Sequence, residues 1–308
     1  ARFLAEPLSG LPRAGGFALW GLLTSVLAGW ALRAAGAPPR ACLALLVSPA
    51  VLANFGNGQT GALAAALLLA GLALAERRPL LAGLCLGALV LKPQLALLAP
   101  VCLLARRQGK VVLVAGAVAV ALCAASWAVF GTASWRGFLA VNAPLSHELL
   151  ERPFLGQAYQ LMLTTVFSTL RAQGASLATA WSLQAGVTLG CVGLCWRLWR
   201  APAVPPDLRL AGALALAPLA TPYAFYYDLV GTAAAVALLA TRARREGCSR
   251  LGLATGLAIL GAVWIWPAVY LVVNALAAPF LGPVLQMALV GVIWRQVRRT
   301  QPDAGKAL

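Results

Sequence analysis

Apolar runs of helical length, separated by short polar turns, organise the whole chain. Runs near the 20 or so residues that cross a bilayer fall at about 15–33, 41–56, 59–75, 80–105, 110–130, 177–196, 208–225, 228–241, 250–272 and 275–294. The pattern predicts an all-α polytopic membrane protein with about 9–11 transmembrane or partly penetrating helices. A single integral membrane domain over residues 1–308 follows, with one sizeable stretch outside the runs, an outer loop from Gly131 to about Ser176. Long loops are usually functional or disordered. Within this one, Trp135–Leu139 and Ala158–Leu170 are apolar or amphipathic enough for short interfacial helices.

Composition narrows the classes further. With 61% hydrophobic and 10% charged residues and a mean hydropathy of +0.85, the chain is no soluble domain, where charged residues approach about 25%. A single anchor carrying a large soluble head is excluded as well. The seven cysteines lie in or beside apolar runs, with one histidine and no CxxC spacing, so no metal-ligand pattern exists. Cys191 and Cys195, one turn apart, read as packing residues.

The net charge of +16 would suit nucleic acid if it were clustered, but it follows the turns instead. Placing the turn after Ala75 in the cytoplasm puts 18 of the 24 basic residues inside and leaves out Arg2, Arg13, Lys92, Arg136, Arg152 and Arg171. That bias is membrane topology, and no nucleic-acid partner is expected.

Residues 80–105 break the simple alternation, because Arg77-Arg78 and Arg106-Arg107 flank them and both belong inside. Twenty-six residues cannot form two full spans, yet Lys92-Pro93 stands at their centre. Proline interrupts a helix and a lysine is costly in lipid. Two short helices meeting near Lys92 satisfy both constraints, provided the break lines a polar cavity. The same topology gathers Asn54, Asn57, Gln59, Lys92, Gln94, Tyr223, Tyr226, Tyr227 and Asp228 at the outer side.

In the outer loop the sole histidine, His147, precedes Glu148, and Arg152 follows. Such a pair could do acid–base work near neutral pH, although a solvated loop explains it more simply. No Walker loop, GxSxG elbow or GxGxxG motif occurs. Gly83 and Gly87 form a GxxxG face suited to helix packing. A transporter or flippase for a lipid-linked or small polar substrate is the competing class. It would ordinarily show inverted repeats and paired intramembrane charges, and the sequence displays neither.

Several of these residues stand in a familiar order. Asn57-Gly58-Gln59 before an apolar helix, Glu76-Arg77-Arg78, then Leu81 to Leu91 running into Lys92-Pro93-Gln94 and a basic stop at Arg106-Arg107 resembles the signature of glycosyltransferase family 87. These are GT-C-type membrane enzymes related to polyprenol-phosphate-mannose-dependent α-1,2-mannosyltransferases. Ala5 to Pro12 with Trp20, and Thr221-Pro222 followed by Tyr227-Asp228-Leu229, are similar to the family's flanking stretches.

The resemblance implies a GT-C-like fold in the plasma membrane, a bacterial inner membrane, with the site facing the periplasm or exterior. It implies transfer of a hexose, mannose foremost, with inversion, from a polyprenyl-phosphate sugar to a glycolipid or glycan acceptor. No further cofactor and no metal are implied. Lys92, aided by Arg152 or Arg136, would hold the donor phosphate. Asn57, Gln59, Gln94, Tyr223, Tyr226, Tyr227, His147 and Glu148 would meet sugar or acceptor. Helix capping accounts equally for Asn57, and an interfacial aromatic belt for the tyrosines. Related enzymes carry a histidine where this chain has Tyr226-Tyr227. The family's base is an aspartate in a first outer loop upstream of Ala1, so the chain is expected to be N-terminally incomplete and its activity alone is in question. Asp228, or failing it Glu148, would be the substitute base.

Overall fold

A computed structural model describes residues 6–246, 250–275 and 280–300. Residues 1–5, Cys248 and Lys306, which entered the sequence reading, lie outside them. The described residues form an all-α polytopic membrane protein. Arg13–Ala34 (α1) is followed by the bent pair Pro39–Leu46 (α2) and Pro49–Gly56 (α3), then Gly61–Leu74 (α4) and Pro79–Ala88 (α5). Pro93–Ala96 (α6), Ala99–Ala105 (α7) and Gly109–Gly137 (α8) complete the first half. Ala143–Glu151 (α9), Ala158–Met162 (α10), Val166–Ala172 (α11), Leu177–Arg200 (α12), Pro206–Leu216 (α13), Val230–Glu246 (α14), Arg250–Ala275 (α15) and Leu281–Thr300 (α16) make up the second.

Among the described residues, α1, the stretch beginning with α8, and α12 are each long and apolar enough to cross a membrane, and α2 with α3, bent by 44°, has the length and composition of a broken span or a re-entrant loop. The remaining runs predicted as spans are shorter or broken helices, except for α15 and α16, which are 26 and 20 residues long. Leu22, Leu23, Val26 and Trp30 of α1, Leu113 and Val120 of α8, and Leu189 of α12 are exposed. So much apolar surface suits lipid, not water.

Helix α4, apolar on all sides, and helix α13, apolar beyond Asp207 and Arg209 of its first turn, sit at the centre, buried along nearly their whole lengths. Small residues allow the close packing. A methyl on Gly83 or Gly87 would lie 2.5 Å from Val114 Cβ and 2.6 Å from the Ala115 carbonyl oxygen respectively, so the GxxxG face of α5 beds directly on α8.

The segment between the two basic clusters has the broken form expected. Helix α5 tightens into a 3₁₀ turn at Leu89–Leu91, Lys92 adopts φ −146° and ψ 65°, and Pro93 opens α6. Proline removes a donor and forces the preceding residue out of helical conformation. Arg106 then donates to Glu76 Oε1 from Nε at 3.0 Å and from a terminal nitrogen at 2.7 Å. Both ends of residues 76–106 therefore return to the same place, with Lys92 at the far turn.

The region expected as a long loop is mostly helical. Helix α8 is interrupted at Gly131, whose φ of +74° suits a residue without a side chain. The chain then continues through a π-turn, Phe138–Asn142, into α9. The helix predicted over 158–170 is split into α10 and α11 by Leu163, Thr164 and Thr165, which are extended or capping. Thr165 caps α11, and Thr164 N–H donates to the Ala224 carbonyl at 2.9 Å. The backbone needs of another chain segment thus won over local helix propensity.

Candidate functional site

After α13 ends, the chain runs irregularly from Ala217 to Leu229 through the protein interior. Irregular backbone at membrane depth survives only if its polar groups are satisfied by protein, and here they are. Gln184 and Thr188 of α12 donate to the carbonyls of Leu219 at 2.9 Å and Ala220 at 3.0 Å. Asn54 Nδ2 donates to the Tyr227 carbonyl at 3.1 Å. The Phe225 N–H donates to Asp228 Oδ2 at 3.3 Å, closing the turn that leads into α14.

That turn delivers Asp228 to Lys92. Lys92 Nζ donates to Asp228 Oδ1 in an ion pair whose side chains are 10% and 0% exposed. The lysine also stands 5.3 Å from the centre of the Tyr227 ring. Asp228 lies at the start of α14, where the helix dipole favours a negative charge. The pairing corrects the sequence reading that paired intramembrane charges are absent. Partners 136 residues apart leave no local signal.

Close approach of backbones makes the pair possible. A methyl on Gly61 would fall 2.6 Å from Asn54 Nδ2 and from the Tyr227 oxygen, and 3.0 Å from Asp228 Oδ1. Glycine is the side chain this contact admits, a role the sequence reading missed. Below the pair a cavity of about 20 Å³, bounded by Leu68, Leu95, Asp228 and Thr232, has room for about one water molecule.

Around the pair stand the other residues that the sequence grouped on one side. Asn57 Nδ2 donates to Tyr226 Oη at 2.8 Å and to the Ala53 carbonyl at 2.8 Å. Gln59 is held through its backbone, whose carbonyl accepts from Trp20 Nε1 at 3.3 Å. Gln94, one residue past Pro93, is half-buried. Tyr226 stacks on Tyr270 of α15 with ring centres 5.5 Å apart, and Tyr227 stacks on Phe225 at 5.1 Å. Tyr270 in turn donates to the Leu163 carbonyl. Neither Phe225 nor Tyr270 was foreseen, and an isolated aromatic in an apolar run gives no sign of such stacking.

Helices α9 to α11 and the start of α12 form a roof with its own polar cluster. His147 Nδ1 lies 3.4 Å from Glu151 Oε2, one helical turn on, and Trp181 Nε1 donates to Glu151 Oε1 at 2.7 Å. The His147 ring stacks on Trp181 at 6.2 Å. Histidine therefore engages Glu151 and not the adjacent Glu148, because neighbours in a helix point apart. Glu148 instead accepts from Arg152 at 2.6 Å, both side chains being exposed. So the structure joins Lys92 with Asp228 and Asn57 with Tyr226, while Arg152, His147 and Glu148 find their partners within α9 and its flank. Tyr223 packs under the roof with Tyr159, whose phenol pKa burial raises, with a smaller contribution from Tyr223.

The model of glycosyltransferase family 87 matches residues 1–222. No curated protein and no solved structure matches the chain.

Proposed function

Since the chain belongs to glycosyltransferase family 87, we propose that it moves a hexose, mannose foremost, from a polyprenyl-phosphate donor to a glycolipid or glycan acceptor at the outer face of the membrane. The observation that carries this reading is the buried Lys92–Asp228 pair, set at a helix break among Asn54, Asn57 and an aromatic cluster. A lipid-phosphate donor needs a cation for its phosphate and a base for the acceptor hydroxyl. The pair provides one of each.

In this reading the donor phosphate draws the Lys92 ammonium away from Asp228. The carboxylate, relieved of its partner, takes the proton of the acceptor hydroxyl. The acceptor oxygen bonds to the anomeric carbon as the bond from that carbon to phosphate breaks, and polyprenyl phosphate leaves with its added charge facing Lys92. Asn57 and Tyr226, already joined at 2.8 Å, offer a preset hydrogen-bonding edge to sugar hydroxyls. The basic turns on the opposite side support an outward-facing site by the positive-inside bias.

The test is transfer of radiolabelled mannose from polyprenyl-phosphate mannose to lipid and glycan acceptors in membranes containing the protein. Asp228→Asn and Lys92→Met should each lower transfer by about 10²–10⁴-fold, the span of a lost acid–base group. Full transfer by either variant would overturn these roles. The buried charge pair also suits a transporter of polar or lipid-linked substrates. Movement of labelled lipid-linked sugar across vesicles, with no transfer from mannosyl, glucosyl or arabinosyl donors, would establish that reading instead.

A further inference from the structure

Beneath the Lys92–Asp228 pair, the cavity of about 20 Å³ brings together groups that the ion pair does not use. Asp228 and Thr232, the latter in the first turn of α14, both line it, as do Leu214 and Pro218 at the end of α13. Proline has no N–H, so the Leu214 carbonyl receives no donor from the residue that would continue its helix. Thr232 is 2% exposed, and its hydroxyl lies 3.4 Å from Oε1 of Gln286 on α16, itself 1% exposed. Residues bearing a carboxylate, a hydroxyl and a carbonyl short of its helical donor thus border a space for about one water molecule.

Asp228 needs what such a water offers. Lys92 donates to its Oδ1 and the Phe225 N–H to its Oδ2, and the side chain is 0% exposed. In the reaction proposed above, the lysine turns to the donor phosphate. Among the described residues the Phe225 N–H is then the donor that remains. A carboxylate so buried and so poorly supplied is driven to its neutral form, which is no base.

We infer that a resident water, held by Thr232, Gln286 and the Leu214 carbonyl, supplies the missing donor and keeps Asp228 a base when Lys92 leaves it. The water donates to the Asp228 carboxylate and to the Leu214 carbonyl, and accepts from the Thr232 hydroxyl. About three such bonds are the usual complement of a buried water. Gln286 turns its amide to donate from Nε2 to the Thr232 oxygen, the two ends of an amide being nearly alike in shape. Thr232 and Gln286 are therefore positioning residues, acting on the acceptor hydroxyl through the carboxylate. Their role rests on the proposed transfer reaction; the presence of the water does not.

Gly231 tests the water without reference to activity. It lines the same cavity, and a methyl there would meet Leu214 Cδ2 at 3.4 Å and Ala65 Cβ at 3.9 Å, both ordinary contacts. In a dry cavity Gly231→Ala fills space and would raise the melting midpoint of the purified protein by about 1–4 °C. With the water in place the methyl displaces it and orphans its partners, so the midpoint should fall by about 2–10 °C. Thr232→Val should lower the midpoint too, and the double variant should be little worse than either, because both lose the same water. In membranes supplied with polyprenyl-phosphate mannose, Thr232→Val should lower kcat by about 10–100-fold, the range for a hydrogen bond to a charged group. Its KM for the donor should stay within about twofold. Gln286→Leu should lower kcat in the same way but less, and Thr232→Ser should restore it. A raised midpoint in Gly231→Ala, or additive losses in the double variant, would overturn the water. A rise in KM matching the fall in kcat, or no rescue by serine, would overturn the positioning role. No transfer by the wild type would overturn the reaction and with it that role, while the melting measurements still decide the water.

Discussion

Lys92→Met and Asp228→Asn, made singly and together, test whether the charge pair is as buried as its geometry says. Lys92 is 8% exposed and Asp228 4%, so neither charge can turn to bulk water once its partner is gone. A lone buried charge is instead discharged by gaining or losing a proton, at about 1.4 kcal/mol per pH unit from the group's ordinary pKa. At pH 7, keeping an ordinary carboxyl protonated costs about 4 kcal/mol, and keeping an ordinary lysine neutral costs about 5 kcal/mol. Both figures agree with the ~3–5 kcal/mol typical of breaking a buried pair.

The two penalties have opposite pH dependence. In Lys92→Met the remaining carboxyl titrates higher when folded than when unfolded, so its penalty is absent below about pH 4 and grows as pH rises. In Asp228→Asn the remaining amine titrates lower when folded than when unfolded, so its penalty is absent above about pH 10 and grows as pH falls. Melting followed by tryptophan fluorescence in detergent at pH 5, 7 and 9, each against the wild type at the same pH, separates them. Lys92→Met should approach the wild type toward pH 5, recovering about 3 kcal/mol between pH 7 and pH 5. Asp228→Asn should approach it toward pH 9, and the double variant should exceed both single variants in stability at pH 7. Slopes of one sign, or single penalties that simply add in the double variant, would refute the burial of the pair.

Further outcomes follow from the same geometry. Gly61→Ala, whose methyl would lie 2.6 Å from Asn54 and from the Tyr227 oxygen, should destabilise the protein by about 1–3 kcal/mol and depress mannosyl transfer, both measured on the same preparation. Asn57→Ala and Tyr226→Phe should each cost about 1 kcal/mol, and the double variant little more; a double-mutant cycle of melting midpoints shows whether they share one bond. Gln184→Leu would orphan both the Leu219 carbonyl and the Phe167 N–H. It should cost about 2–6 kcal/mol in thermal stability, at 1–3 for each buried group.

What the sequence revealed and what it concealed divide along physical lines. The break at Lys92-Pro93 was legible because proline and a membrane lysine act locally, and the grouping of Asn57, Lys92 and Asp228 at one end of the bundle followed from the alternation of basic turns. The contacts that turn this grouping into a site were not legible. The union of Lys92 with Asp228 depends on the packing of α4 against the turn before α14, and Gly61, which permits it, looks like any other small residue in an alanine-rich helix. The roof shows the converse error. His147 beside Glu148 suggested a pair by adjacency, whereas helical geometry gives His147 to Glu151 and Glu148 to Arg152. The loop expected over 131–176 is mostly helical, its breaks falling at three glycines of positive φ, Gly131, Gly156 and Gly174, and at Thr164-Thr165.

The separation of 136 residues between Lys92 and Asp228 also bears on how the protein is made. At ~5–20 residues per second, a ribosome that has just delivered the lysine to the membrane needs about 7–27 s more to synthesise its counterion. A full-length span would strand the charge in hydrocarbon for that time. The short hairpin of residues 76–106 turns back at Lys92, so the lysine can wait close to water until the aspartate emerges. Insertion of the last third of the chain then seals it in, making the pair a late closure of assembly.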